Sequence, residues 1–121
     1  MLFIPKALVA IIALLHFYFL YLEMFLWTKP KGLKTFGLSL EKARDSATLA
    51  ANQGLYNGFL AAGLVWSLLN PNLVVAFQTQ IFFLACIVIA GIYGGLTANR
   101  RILLIQAAPA AAALLLRCVT E

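Results

Sequence analysis

The chain has 121 residues, 64% of them hydrophobic and only 11% charged, with a formal net charge of +5. That composition excludes an ordinary soluble domain and places the chain among integral membrane proteins. The positive charge carries no nucleic-acid signature, because no polybasic tail or aromatic-interleaved basic stripe occurs and the basic residues collect between apolar runs.

Four apolar runs divide the chain, at about residues 7–27, 47–69, 73–98 and 102–119. Each is close to the ~20 residues that cross about 30 Å of hydrocarbon at 1.5 Å per residue. The expected fold is therefore all-α: a polytopic membrane protein with one domain, 1–121, of four transmembrane helices in an up-down bundle. The first run follows Lys6 as the core of a signal peptide would. It is too long for one, and no small-x-small cleavage site precedes the loop, so it reads as a retained helix.

Span one contains HFYFLYLE, in which His16 and Glu23 lie one heptad apart and so share a helix face. The loop after it, TKPKGLKTFGLSLEKARD, carries Lys29, Lys31, Lys34, Lys42 and Arg44. Lys29-Pro30-Lys31-Gly32 reads as a turn, and Ser39 as the cap of a helix with Glu41 in its first turn, so span two should project beyond the membrane. Small residues recur every fourth position on span two, at Ser46, Ala50, Gly54, Gly58 and Ala62, and again on span three at Gly91 and Gly95. Such ridges let helix backbones approach closely in lipid, within one bundle or between copies of a homo-oligomer. Asn70-Pro71-Asn72 joins spans two and three without charge. Arg100 and Arg101 precede span four, where Pro109 should kink an alanine-rich helix or free a carbonyl. Cys86 falls near mid-membrane and Cys118 near a surface, too far apart in depth for a disulfide.

Loops one and three hold every basic residue except Lys6 and Arg117. The positive-inside rule then places both loops in the cytoplasm and both termini outside a cell (inner) membrane. Counted inward from the cytoplasmic ends, Glu23, Asn52, Gln53, Tyr93 and Gln106 fall in one layer roughly 6 to 9 Å below the boundary. His16 and Asn57 form a deeper layer, and Arg44, Arg100 and Arg101 stand at the mouth. This pattern predicts a polar pocket open to the cytoplasm that binds a small amphipathic or lipophilic molecule. A charge at a helix centre costs at least ~2.5 to 3.5 kcal/mol, so ionisable residues persist in spans mainly for function. The plainer alternatives are that Glu23 snorkels or pairs with a loop lysine, that His16 is a neutral imidazole bonded to Asn57 or a carbonyl, and that the amides join helices. His16 is the only histidine, so no His-rich metal site exists within one chain. No glycine-rich phosphate loop or Gly-x-Ser-x-Gly elbow occurs either, and the sequence leaves open whether the protein is an enzyme.

The strings LEMFLW, Leu22 to Trp27, and ANQGLYNGFLAAGLVW, Ala51 to Trp66, with the Asn-Pro-Asn turn, resemble a family of small bacterial four-helix membrane proteins catalogued as a domain of unknown function. That resemblance covers essentially the whole chain and implies a fold without an activity. More distantly, Glu41-Lys42-x-Arg44 leading into Asn52, then the Asn-Pro turn and basic residues ahead of a proline-bearing last helix, is similar to the membrane-associated proteins in eicosanoid and glutathione metabolism. This second likeness implies a homotrimer that binds glutathione between subunits, with Asn52 and Arg100 or Arg101 in matching positions. Ala51 and Leu55 stand where that pattern has an arginine and a glutamate, which leaves the cofactor unknown.

Small multidrug-resistance transporters offer another reading. They too have four helices, work as antiparallel dimers and use an embedded glutamate in the first helix. Glu23 among Phe19, Tyr21 and Trp27 would serve such proton-coupled export of cations, although those transporters have weak loop charge bias. A non-catalytic helper or lipid-binding protein with no chemistry completes the alternatives.

Overall fold

The computed structural model describes residues 3–120. The described residues are all-α: α1 (Phe3–Phe25), α2 (Pro30–Phe36), α3 (Leu40–Leu69), α4 (Leu73–Thr97) and α5 (Ala108–Val119), with a π-helical turn, Leu103–Ala107, running into α5. The chain divides into two compact units, Leu14–Ala61 and Met1–Ala13 with Ala62–Glu121, so the division falls within α1 and α3.

In the Leu14–Ala61 unit, the predicted turn at Lys29 to Gly32 is instead the start of α2. Pro30 occupies the first helical position, where its missing N–H costs nothing and its fixed φ favours the helix. Gly32 sits so close to the Leu26 carbonyl that a Cβ would collide with backbone. Gly37 ends α2 in the left-handed conformation (φ 65°, ψ 38°), and the Leu38 N–H returns to the Leu33 carbonyl at 3.0 Å. Ser39 then caps α3 as predicted, its hydroxyl accepting from the Lys42 N–H at 3.2 Å, with Glu41 in the first turn. Further along, α3 lies against α1: a Cβ on Gly54 would stand 2.9 Å from Glu23 Cβ and from Met24 Cγ, and one on Gly58 would stand 2.5 Å from Leu20 Cδ1. The small-residue ridge from Ala50 to Gly58 is thus used within the chain, whereas Ala62 is exposed.

The other unit packs α4 against the last helix. Asn70 and Asn72 shape the turn before α4, Asn72 accepting from the N–H groups of Val74 and Val75. Gly91 and Gly95 meet the π-helical turn, where a Cβ on Gly91 would lie 2.8 Å from Ala107 N. Pro109 produces this turn rather than a simple kink. It offers no N–H to the preceding turn, and the Ala108 N–H reaches back five residues to the Leu103 carbonyl. Val9, Ile12, Leu64, Leu84, Ile87, Ala110 and Ala113 are buried here.

Two helices, α1 and α4, are long and apolar enough to cross a membrane. The expected second and fourth spans do not pass the same test. Asn52, Gln53 and Asn57 interrupt the apolar run of α3, and Leu103–Val119 covers only about 25 Å at 1.5 Å per residue.

Candidate functional site

Glu23 lies in the last turn of α1 and is 3% exposed. Its two carboxylate oxygens are each claimed by an amide of α3: Gln53 Nε2 donates to Oε2 and Asn57 Nδ2 donates to Oε1, both at 2.5 Å. Gln53 and Asn57 are four residues apart, so they stand on one face, one turn above the other. Gly54, between them, leaves room for the Glu23 Cβ, which lets the short asparagine reach across. Asn57 is buried and Gln53 is exposed, so the cluster runs from the packed interior to the surface. Just beyond α1, Trp27 Nε1 donates to Ser46 Oγ at 3.1 Å, and the Ser46 hydroxyl donates to the Lys42 carbonyl at 2.7 Å. The Trp27 ring also packs on Phe36 of α2, with centroids 4.7 Å apart. These contacts anchor the chain that carries Glu23 to the start of α3.

Of the sequence-nominated residues, the structure brings together Glu23, Gln53 and Asn57. Asn52 is exposed beside them, turned about 100° around the helix from Gln53. His16 is fully buried, its ring meeting Phe19 edge-on at 5.1 Å, while the Asn57 amide expected to serve it goes to Glu23. Tyr93 is 72% exposed on α4, and Gln106 lies in the π-helical turn, reaching the Ile87 carbonyl at 3.5 Å. Both belong to the other unit. Arg44, Arg100 and Arg101 are exposed, as are Lys29, Lys31, Lys34 and Lys42.

The family described as "Protein of unknown function (DUF1304)" matches residues 10–118. The chain belongs to that family. It is also 32% identical over 107 residues to "Uncharacterized protein YpaA" of Lactococcus lactis subsp. lactis (strain IL1403), covering 87% of this chain and 88% of the relative. No solved structure matches it.

The structure of this DUF1304 member also holds a polar contact that sequence reasoning did not nominate. Arg117 of α5 is 6% exposed, and its Nε donates to Gln80 Oε1 of α4 at 2.8 Å. Its guanidinium carbon lies 4.9 Å from the Phe77 ring centroid. The only signal in the sequence was a single arginine outside the two basic loops.

Proposed function

We propose that the protein is an integral membrane protein whose Glu23 carboxylate binds the cationic end of a small amphipathic molecule. The carrying observation is a buried carboxylate held by two neutral amides, with no cation among the described residues acting on it. Hydrogen bonds from Gln53 and Asn57 fix its position without supplying a positive charge, and ionisable groups in spans persist mainly for function. Exposed Gln53 gives the carboxylate an approach from the surface. Tyr56, exposed and three residues further along the same helix face, offers a ring for cation–π contact.

The membrane reading draws on α1 and α4 and on the large apolar side chains they expose, among them Ile11, Leu14, Phe17, Phe82, Ile89 and Leu96. Soluble proteins rarely expose contiguous apolar patches beyond a few hundred Å². The exposed lysines of α2 and its flanks suit the cytoplasmic face, which would put both termini outside. Copies of the chain would assemble, as a trimer or a dimer, through the exposed apolar faces rather than the filled ridge.

The test is equilibrium binding of tetraphenylphosphonium, a lipophilic cation, to the detergent-solubilised protein. Wild type should bind it, and Glu23→Gln should bind at least about tenfold more weakly, the loss of one ion pair in a partly desolvated site. Equal binding by the two proteins would refute the proposal. Retention of glutathione that depends on Arg44, Arg100 or Arg101 and not on Glu23 would favour a glutathione-dependent transferase instead.

A further inference from the structure

The Arg117 guanidinium is a permanent cation enclosed by an apolar helix pair, and the described residues of its unit give it no counter-charge. Among the described residues of Met1–Ala13 and Ala62–Glu121 there is no aspartate or glutamate. Gln80, 1% exposed, takes only the Nε–H, and Phe77 covers one face of the guanidinium plane. Arginine has five N–H donors. The other four, on the two Nη atoms, donate to no described residue, and Gln80 keeps its own amide N–H pair because its oxygen is the acceptor. Fixed at one edge and one face, the guanidinium presents a planar fork of the kind that holds phosphate oxygens in pairs. Arg117 lies two residues before the last residue of α5, close to the helix end where the headgroups of a bilayer would stand.

We infer that Arg117, Gln80 and Phe77 form an anion site for a phosphate group, either the headgroup of a membrane lipid or free phosphate. Gln80 and Phe77 position the guanidinium, the Nη edge pairs with two phosphate oxygens, and the Gln80 amide supplies a further donor. This site is separate in sequence and in charge from the Glu23 cluster and does not depend on it.

Native mass spectrometry of the full chain with added phosphatidylglycerol, together with thermal unfolding in inorganic phosphate, tests the inference. Wild type should carry a phosphatidylglycerol adduct or be stabilised by phosphate. Arg117→Met, which keeps the apolar stem over Phe77, should weaken either effect at least about tenfold, as expected for loss of a charge-assisted pair. An adduct that survives excess inorganic phosphate assigns the lipid as ligand. Stabilisation by phosphate without a lipid adduct assigns the free ion. Wild type that takes up neither overturns the inference without recourse to any variant, and so does equal uptake by wild type and Arg117→Met.

Discussion

Glu23 shows how a carboxylate is kept in a mostly apolar helix. Each oxygen has a donor of its own, and the two donors differ in burial: Asn57 is enclosed and Gln53 open. Removing them should therefore have unequal effects. Asn57→Leu leaves a buried carboxylate oxygen without a partner and should destabilise the solubilised protein by about 1–3 kcal/mol in denaturation. Gln53→Leu should cost less, because water replaces the lost donor at an exposed position; equal losses would contradict the assignment of Asn57 as the interior partner. Glu23→Gln should retain the fold, since flipping one neighbouring amide restores both hydrogen bonds without the charge. Sequence depth nominated all three residues, with Glu23 and Gln53 in one layer and Asn57 beside His16 in a deeper one. It did not pair Asn57 with Glu23 rather than His16, because that choice depends on how α3 is rotated against α1. Arg117 went unnominated because Gln80 is 37 positions away and a lone arginine has no pattern.

Small residues and proline decide where the helices touch. At Gly91 the neighbour is the backbone of Ala107, which cannot swing aside, whereas at Gly58 it is the tip of the Leu20 side chain, which can. Gly91→Ala should lower stability by about 1–3 kcal/mol through overpacking. Gly58→Ala should fall well short of that, because the leucine re-packs and alanine favours helix by up to ~1 kcal/mol. A larger loss at Gly58 than at Gly91 in parallel melts would contradict these contacts. The four-residue period of glycine and alanine was legible in the sequence, as were the Ser39 cap and a disturbance at Pro109. The π form of that disturbance was not, because it depends on which carbonyl the Ala108 N–H finds. Helix α2 was hidden for a similar reason: Pro30 and Gly32 signal a turn locally, and only the close approach to Leu26 and the stacking of Phe36 on Trp27 make a short helix there.

For the molecule as a whole, composition made the all-α class readable. Four apolar runs read as spans where only α1 and α4 are long and apolar enough to cross a membrane, because Asn52, Gln53 and Asn57 lower the hydropathy of α3 and the last helix is short. The proposed orientation rests on charge placement and is open to labelling. In protein with Cys86 and Cys118 replaced by alanine, Thr35→Cys on α2 should react with an impermeant thiol reagent only after the inner face is opened, whereas with Cys86 alone replaced the exposed Cys118 should react in intact cells. Labelling of Thr35→Cys in intact cells would reverse the orientation, and labelling from both sides would favour the dual-topology transporter reading. The central claim is narrower: the clamped carboxylate of Glu23 meets the positive charge of a ligand. Infrared difference spectroscopy on adding tetraphenylphosphonium to protein in lipid nanodiscs reads that carboxylate directly. The account predicts a shift of a carboxylate stretching band in wild type that is missing in Glu23→Gln; identical difference spectra from the two proteins would contradict it.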